Sequence, residues 1–287
     1  MKRVFVDGAS GTVGLALRPH LDALVAQERL ELIELPAASR REPDARKDAM
    51  RQADLIVLCL PDDAAREAVA MVDQCHPEAR ILDASAAHRC APGWAYGLPE
   101  LTSPELIRRA RRIANPGCFA TGAILLGAPL SRELGENAWV PFQGITGYSA
   151  GGRKAQTAPD MPRLVQMGQY HRHLPEIQRY ANIASPVLTT MVGDWYQGML
   201  VQATLQLPAD TILAAYQAAY ASHRNIHVHP ASPSLRQLSA QCANGTNEVH
   251  LRVVEQPYGC ATVVAAYDNL GKGSAGAAAV NLSLMLG

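Results

Sequence analysis

The stretch Asn115-Pro116-Gly117-Cys118-Phe119-Ala120-Thr121 decides how this chain of 287 residues divides into two halves. Pro116 pushes Asn115 into an extended conformation, Gly117 permits a tight backbone approach, and an apolar helical pattern follows. Cys118 is therefore predicted in the first turn of a helix, where unpaired N–H groups and the helix dipole favour a thiolate. We interpret Cys118 as a nucleophile, and the alternative is a buried structural cysteine.

Upstream of this junction, the sequence predicts a dinucleotide-binding half. A short apolar strand, Lys2 to Asp7, runs into a glycine turn and then into an apolar helical pattern, which is the context a dinucleotide fingerprint requires. We expect Gly8 to make the tight turn, Gly11 to admit a pyrophosphate and Gly14 to let the helix pack. The predicted cofactor residues of this turn are Gly8, Ser10, Gly11, Thr12, Val13 and Gly14. The alternative is a glycine-rich turn that binds nothing.

The loop after the second predicted strand, Leu30 to Leu35, indicates which cofactor is used. An acidic residue there favours NAD, whereas a nearby arginine favours the 2′-phosphate of NADP. Glu34 stands at the strand end, but Ser39, Arg40 and Arg41 supply a hydroxyl and two guanidinium groups in the loop. We therefore predict NADP, and the alternative is that the two arginines are solvated.

The order of strands and helices predicts an α/β fold. The apolar run Leu55 to Leu60 is typical of a parallel strand that is buried on both faces. Strands alternate with helices through residues 1–117, which predicts a Rossmann-type doubly wound parallel sheet, completed by an alanine-rich C-terminal helix at 272–287. Residues 118–271 contain long strands and few helices, which predicts an α+β second domain with a mixed or antiparallel sheet for catalysis and oligomerisation.

Two histidines are the next candidates for chemistry. In an extended chain His171 and His173 point the same way, because side chains alternate along a strand. A H-x-H pair can bind a metal, but no third ligand is evident nearby, so we predict acid–base work and no metal. The alternative is a structural pair. The candidate substrate contacts are Arg89, Asn115, Ser149, Arg153 and Glu176.

Composition excludes several classes of protein. Basic and acidic side chains number 26 each, so the formal net charge is zero, and no basic run predicts a nucleic acid or an anionic membrane as partner. No apolar run approaches a membrane span, and no signal peptide is recognisable. The six cysteines include no C-x-x-C pair. We expect a cytoplasmic protein in a reducing compartment.

Four motifs together resemble one family. The glycine turn at Gly8, Asn-Pro-Gly-Cys at 115–118, His-Arg-His-x-Pro-Glu-Ile at 171–177 and Asp-Asn-Leu-Gly-Lys-Gly at 268–273 are similar to those of the shorter N-acetyl-gamma-glutamyl-phosphate reductases. That family is grouped with the aspartate-semialdehyde and glyceraldehyde-phosphate dehydrogenases. The resemblance implies NADP, arginine biosynthesis, and a homodimer or homotetramer. It places Asn269, Lys272 and Gly273 near the nicotinamide.

The resemblance also implies a reaction. A Cys118 thiolate attacks an acyl phosphate, and reduction of the resulting thioester gives N-acetyl-glutamate 5-semialdehyde. We predict His173 as the general acid–base group and His171 as a substrate contact. Two alternatives are an aspartate-semialdehyde dehydrogenase, which would use another acyl phosphate, and a non-enzymatic NADP-sensing protein. The compact stretch from Pro36 to Asp48 departs from the longer form of the family and leaves the adenosine contacts open.

Overall fold

A computed structural model describes residues 1–154, 160–166, 170–232 and 235–287, without the side chains of residues 153 and 154. The chain folds into two compact units. One unit comprises Met1–Pro116 and Ser274–Gly287, and the other comprises Gly117–Gly273. The predicted boundaries at 117/118 and 271/272 lie within two residues of these.

The first unit is a six-stranded sheet with helices. In chain order its elements are β1 (Lys2–Asp7), α1 (Thr12–Ala26), β2 (Leu30–Ile33), α2 (Pro43–Gln52), β3 (Leu55–Leu58), α3 (Asp62–Cys75), β4 (Arg80–Asp83), β5 (Ala95–Tyr96), α4 (Pro104–Arg109), β6 (Arg112–Ala114) and α9 (Gly276–Leu286). The strand order is β2-β1-β3-β4-β6-β5, and every pair is parallel. This confirms the predicted parallel sheet.

The two faces of this sheet are covered by different helices, as the alternation of side chains along a strand requires. Leu55 and Val57 of β3 pack in a cluster with side chains of α1, α4 and α9. Ile56 and Leu58 pack in a second cluster with α2 and α3. All four β3 side chains are buried, which explains why the strand reads as a continuous apolar run.

The second unit is a seven-stranded mixed sheet with helices. Its elements are α5 (Cys118–Gly127), α6 (Ser131–Leu134), β7 (Trp139–Thr146), β8 (Arg163–Val165), α7 (Leu174–Ala181), β9 (Ser185–Val192), β10 (Met199–Leu205), α8 (Ala209–Tyr220), β11 (Ile226–Val228), β12 (Val249–Gln256) and β13 (Cys260–Tyr267). The strand order is β11-β12-β13-β10-β7-β9-β8. The β10, β12 and β13 strands pair antiparallel, whereas β7 and β9 run parallel. The prediction of a mixed sheet is confirmed.

Helix α5 lies at the centre of the second unit. Every one of its residues after Cys118 is buried, and it contacts β10, β13 and α7. Two tyrosine hydroxyls of α8 donate hydrogen bonds to the C-terminal end of α5. Tyr220 donates to the Leu125 carbonyl at 2.6 Å, and Tyr216 donates to the Leu126 carbonyl at 2.8 Å. The helix that begins at the candidate nucleophile is therefore fixed in the core of its unit.

Tyr148–Lys154 forms 3₁₀ turns that are interrupted at Gly152. One segment differs from its prediction. The chain around His171 and His173, predicted as extended, is a turn. None of the helices in the described ranges is long and apolar enough to span a membrane.

Candidate active site

Cys118 is the first residue of α5. Gly117 precedes it as the N-cap residue, with extended dihedrals of φ −76° and ψ 145°. As a glycine, Gly117 has no side chain that could accept a hydrogen bond from the first turn of the helix. Helix N-termini carry N–H groups without intrahelical partners and a partial positive charge, so the position favours a thiolate or an oxyanion.

Three distant groups hold the Cys118 turn. Glu176, which is buried, accepts a hydrogen bond from the Gly117 N–H at 3.0 Å. The Tyr267 hydroxyl donates to the Cys118 carbonyl at 2.6 Å. A Cβ placed on Gly273 would lie 3.0 Å from the Cys118 Cβ, which is an unusually tight contact, so the absence of a side chain favours this close approach. The backbone on either side of the thiol is thus positioned by residues far away in sequence.

The two histidines lie together, although not through an extended chain. Their ring centroids are 4.7 Å apart, and both side chains are buried. The Leu174 N–H donates to the His171 carbonyl at 2.9 Å, which closes a turn into α7. Pro175 occupies the first turn of that helix, where its fixed φ is favourable, so the helix begins immediately after His173. The prediction of an extended segment was wrong for this reason.

The ring of Phe119, next to Cys118 in the chain, contacts both histidines. Its centroid lies 5.9 Å from that of His171, edge to face, and 6.2 Å from that of His173. These are ordinary aromatic packing distances. Phe119 therefore links the nucleophile helix to the histidine turn within one unit.

The two imidazoles differ in their hydrogen bonding. His171 Nδ1 accepts a hydrogen bond from the His173 backbone N–H at 3.2 Å, so in the neutral ring Nε2 carries the proton. Burial, followed by the charge of Arg172, lowers the pKa of His171 to about 4. His171 is consequently neutral at pH 7 and can act as a hydrogen-bond donor through Nε2.

The end of β13 supplies several groups to the second unit. Asn269 accepts from the Gly198 N–H at 2.7 Å and donates to the Ser149 hydroxyl at 2.9 Å. Asp268 accepts from the Leu270 and Gly245 N–H groups, each at 2.8 Å. Both side chains are buried.

Two of the predicted site residues, Ser149 and Asn269, are hydrogen-bonded to each other. A third, Lys272, is buried in the same unit. Glu176, predicted as a substrate contact, is bonded to the Gly117 backbone, which favours a positioning role. The predicted contact Arg153 has its side chain outside the described residues. Sequence reasoning missed Tyr267 and Asp268, and only the Asp-Asn-Leu-Gly run hinted at the turn that Asp268 orders.

The glycine turn of the first unit has the geometry that a pyrophosphate site needs. Gly8 has a φ of +87°, and a Cβ there would lie 2.3 Å from the Cys59 carbonyl oxygen. A Cβ on Gly14 would lie 2.6 Å from the Gly8 carbonyl oxygen, whereas a Cβ on Gly11 would lie 3.3 Å from the same oxygen. Gly11 is the N-cap of α1, and the first turn of α1 contains no acidic residue. The backbone of this turn fits an anionic dinucleotide.

The loop after β2 presents the residues predicted to select the cofactor. Arg40 and Arg41 are exposed, and Arg40 Nε donates to the Leu35 carbonyl at 3.2 Å. Glu34 forms an ion pair with Arg18. Sequence reasoning missed Arg46, which forms a largely buried ion pair with Asp7 at 2.7 Å, directly before the glycine turn.

Two other predicted contacts lie in the first unit. Arg89 is buried, and its Nε donates to the Asn115 carbonyl at 3.0 Å. The Asn115 amide donates to the Ser274 carbonyl and accepts from Asn281, each at 3.0 Å. Each end of the Asn115 amide thus has a partner within the unit, and the substrate contact of Asn115 stays a prediction.

Two family models match the chain. The model described as "Semialdehyde dehydrogenase, NAD binding domain" matches residues 38–110, and the one described as "Semialdehyde dehydrogenase, dimerisation domain" matches residues 118–269. The first of these indicates a nicotinamide cofactor. The second covers the candidate nucleophile and both histidines.

Relatives of known name align over nearly the whole chain. N-acetyl-gamma-glutamyl-phosphate reductase 2 of Pseudomonas putida is 38% identical, over 99% of this chain and 96% of its own. The N-acetyl-gamma-glutamyl-phosphate reductase of Burkholderia cenocepacia is 39% identical, over 99% and 97%.

Solved structures with the same fold are more distant in sequence. Aspartate semialdehyde dehydrogenase II from Vibrio cholerae has a TM-score of 0.72 at 14% identity, over 99% of this chain and 98% of that one. Aspartate semialdehyde dehydrogenase from Francisella tularensis has a TM-score of 0.72 at 13% identity, over 99% and 100%. At these identities the similarity establishes the fold.

Proposed function

Because the chain belongs to the family of N-acetyl-gamma-glutamyl-phosphate reductases, we propose that it reduces N-acetyl-L-glutamyl 5-phosphate to N-acetyl-L-glutamate 5-semialdehyde. We propose NADPH as the reductant and arginine biosynthesis as the pathway. The observation that carries this proposal is a cysteine at the first turn of a buried helix, in the same unit as two buried histidine rings.

The proposed nucleophile is the Cys118 thiolate. Its sulfur attacks the acyl carbon of the substrate, the C–O bond to phosphate breaks, and inorganic phosphate leaves with the bonding electrons. A thioester on Cys118 remains. The first-turn N–H groups of α5 are placed to hold the carbonyl oxygen while it carries negative charge. Splitting the reduction into two steps through a covalent intermediate is the usual gain of nucleophilic catalysis.

A nicotinamide cofactor would supply, when bound, the hydride that reduces the thioester. We propose that the backbone of the turn at Gly8, Gly11 and Gly14 holds its pyrophosphate, together with Ser10, Thr12 and Val13. Ser39, Arg40 and Arg41 are proposed to select the 2′-phosphate of NADP, supported by two exposed guanidinium groups in that loop. The further proposed cofactor residues are Asn269, Lys272 and Gly273.

His173 is the proposed acid–base group. It protonates the oxygen of the reduced intermediate, and it takes that proton back when the C–S bond breaks and releases the aldehyde. The structure supports this division, since His171 has Nδ1 occupied by a backbone N–H and a pKa of about 4. We propose that His171 binds substrate through Nε2. Arg89, Ser149 and Arg153 stay proposals for the substrate phosphate or carboxylate.

The deciding experiment is an assay with two acyl phosphates. NADPH oxidation should proceed with N-acetyl-glutamyl phosphate, and the reverse reaction should consume semialdehyde, phosphate and NADP. Aspartyl phosphate and NADH should each be much poorer substrates. Preference for aspartyl phosphate would favour the alternative function, that of an aspartate-semialdehyde dehydrogenase, which is the name of the solved structures with the same fold. Absence of turnover with both would contradict the proposal.

We further propose a homodimer or homotetramer in the cytoplasm. The proposal is supported by the name of the family model that matches residues 118–269, which is a dimerisation domain. Light scattering on the purified chain should give a mass two or four times its 30.8 kDa. A monomer at all concentrations would contradict the assembly, and fractionation of cells tests the location.

A further inference from the structure

Tyr267 takes part in the first turn of the nucleophile helix. Its hydroxyl donates to the Cys118 carbonyl at 2.6 Å and accepts from the Gly122 N–H at 3.0 Å. These are the two backbone groups that the i to i+4 pattern of an α-helix would join to each other. The phenol oxygen therefore stands between a pair of groups that a regular helix connects directly.

The position of the Tyr267 hydroxyl between these two groups depends on a glycine in the helix. A Cβ on Gly122 would lie 2.5 Å from the Tyr267 hydroxyl oxygen and 2.8 Å from the ring. Tyr267 is fully buried at the end of β13, and burial, followed by the charge of Cys118, raises its pKa well above the ordinary value of 10. The phenol stays protonated, so it donates to the Cys118 carbonyl throughout the pH range in which a thiol titrates.

We propose that Tyr267 is a positioning residue for the nucleophile. Its hydroxyl fixes the first turn of α5, and its hydrogen bond reduces the negative charge that the Cys118 carbonyl oxygen presents to the thiolate. This inference rests on the proposed role of Cys118. A hydrogen bond to a carbonyl oxygen draws electron density away from the space near the sulfur, which favours the charged thiolate. It also keeps the first-turn N–H groups aimed at the position where the oxyanion forms.

The test is the pH profile of Cys118 alkylation in Tyr267→Phe. Iodoacetamide reacts with the thiolate, and peptide mapping by mass spectrometry assigns the reaction to Cys118 among the six cysteines. The apparent pKa of Cys118 should rise by about half to one unit in the variant, the scale of one lost hydrogen bond. In turnover, kcat should fall about 10-fold while KM for the acyl phosphate stays within about twofold.

Tyr216→Phe is the matched control. Tyr216 is equally buried, and its hydroxyl donates at 2.8 Å to the Leu126 carbonyl of the same helix. Leu126 is eight residues after Cys118 and directly before Gly127, the last residue of α5. This variant removes the same atom from the same helix, but at the opposite end. It should leave the alkylation pKa of Cys118 unchanged, even if it costs similar stability. Equal profiles for the two variants would overturn the proposal.

A second variant keeps the test decisive if Tyr267→Phe does not fold. Gly122→Ala places a methyl group 2.5 Å from the phenol oxygen, which must then move away, and should produce the same rise in the Cys118 pKa. An unchanged profile there would also overturn the proposal. Failure of the cysteine mechanism itself is distinguishable, because Cys118→Ser would then keep its turnover whatever Tyr267 does.

Discussion

The helices α1 and α5 begin in nearly the same way and are held in different ways. Gly11 caps α1 with φ −77° and ψ 170°, and Gly117 caps α5 with φ −76° and ψ 145°. The turn before α1 is closed by its own backbone, since the Gly11 N–H donates to the Gly8 carbonyl at 2.9 Å. The turn before α5 is held by Glu176 and Tyr267, which are 59 and 149 residues from the groups they bind.

This difference shows which turns can be recognised from local sequence. A turn closed by its own backbone leaves its requirement in the glycine spacing, because each close approach excludes a Cβ. Where a turn is held by distant side chains, as before α5, the local sequence shows only the capping residue and the predicted nucleophile. It also ties the chemistry to the packing of another strand and helix, so that stability and reactivity are linked at α5.

The largest expected effect is on the α5 side. Cys118→Ser should lower kcat by at least about 10³-fold, because serine has no comparable thiolate to offer. The variant should bind NADPH and unfold at the same temperature as the wild type, since the turn does not depend on the sulfur. Cys242→Ser, at an exposed position, is the control. Near-normal turnover of Cys118→Ser would end the covalent mechanism.

The next effect separates the two histidines. His173→Asn should lower kcat by roughly 10²-fold, the scale of a lost general acid–base group, and should remove the low-pH limb of Cys118 alkylation. His171→Asn should mainly raise KM for the acyl phosphate. Rates measured across pH for both variants decide the assignment, and the opposite pattern would exchange the two roles.

A glycine substitution tests the α1 side of the comparison. Gly8→Ala should lower the free energy of unfolding by about 2 kcal/mol, since its φ of +87° is combined with a Cβ that meets the Cys59 carbonyl. Gly93→Ala is the matched control, with a φ of +80° and no atom within 4 Å. Denaturant titration measures both. Equal losses would show that close approach is unimportant at Gly8.

Cofactor choice should respond to the loop after β2. Replacing Arg40 and Arg41 together by Ala should raise KM for NADP about 10-fold and leave KM for NAD nearly unchanged, because only NADP carries the 2′-phosphate. Steady-state kinetics with both cofactors measure this. Equal use of NAD and NADP by the unmodified chain would contradict the assignment.

The smallest expected effect is a pH dependence of stability. The pKa of His171 is about 4 in the folded chain and 6.5 as its ordinary value, so between these values the unfolded chain binds more protons. The free energy of unfolding should therefore fall as pH decreases from 6.5 to 4, by on the order of 1 kcal/mol from this group. His171→Asn should flatten the curve measured by urea titration, and an unchanged slope would contradict the shift.

Much of the fold could be predicted, and less of the site. The strand β1 has the bounds expected from its apolar pattern, Lys2 to Asp7, because burial imposes a period of two or a continuous run. The histidine turn could not be predicted, because the pattern H-x-H does not reveal that α7 begins immediately after it. The hydrogen bonds of Glu176 and Asn115 could not be predicted either, since their partners lie in other elements.

From the sequence alone followed the two-part α/β architecture, the glycine turn at Gly8 and the prediction of a nucleophile at Cys118. Each is imposed locally, by hydrophobic periodicity, by the steric demands of the backbone or by a helix start. Only the tertiary structure decided that Tyr267 lies between Cys118 and Gly122, that Glu176 holds Gly117, and that burial lowers the pKa of His171. Those features are contacts between elements remote in sequence, and they arise only when the sheet and helices of the second unit pack together.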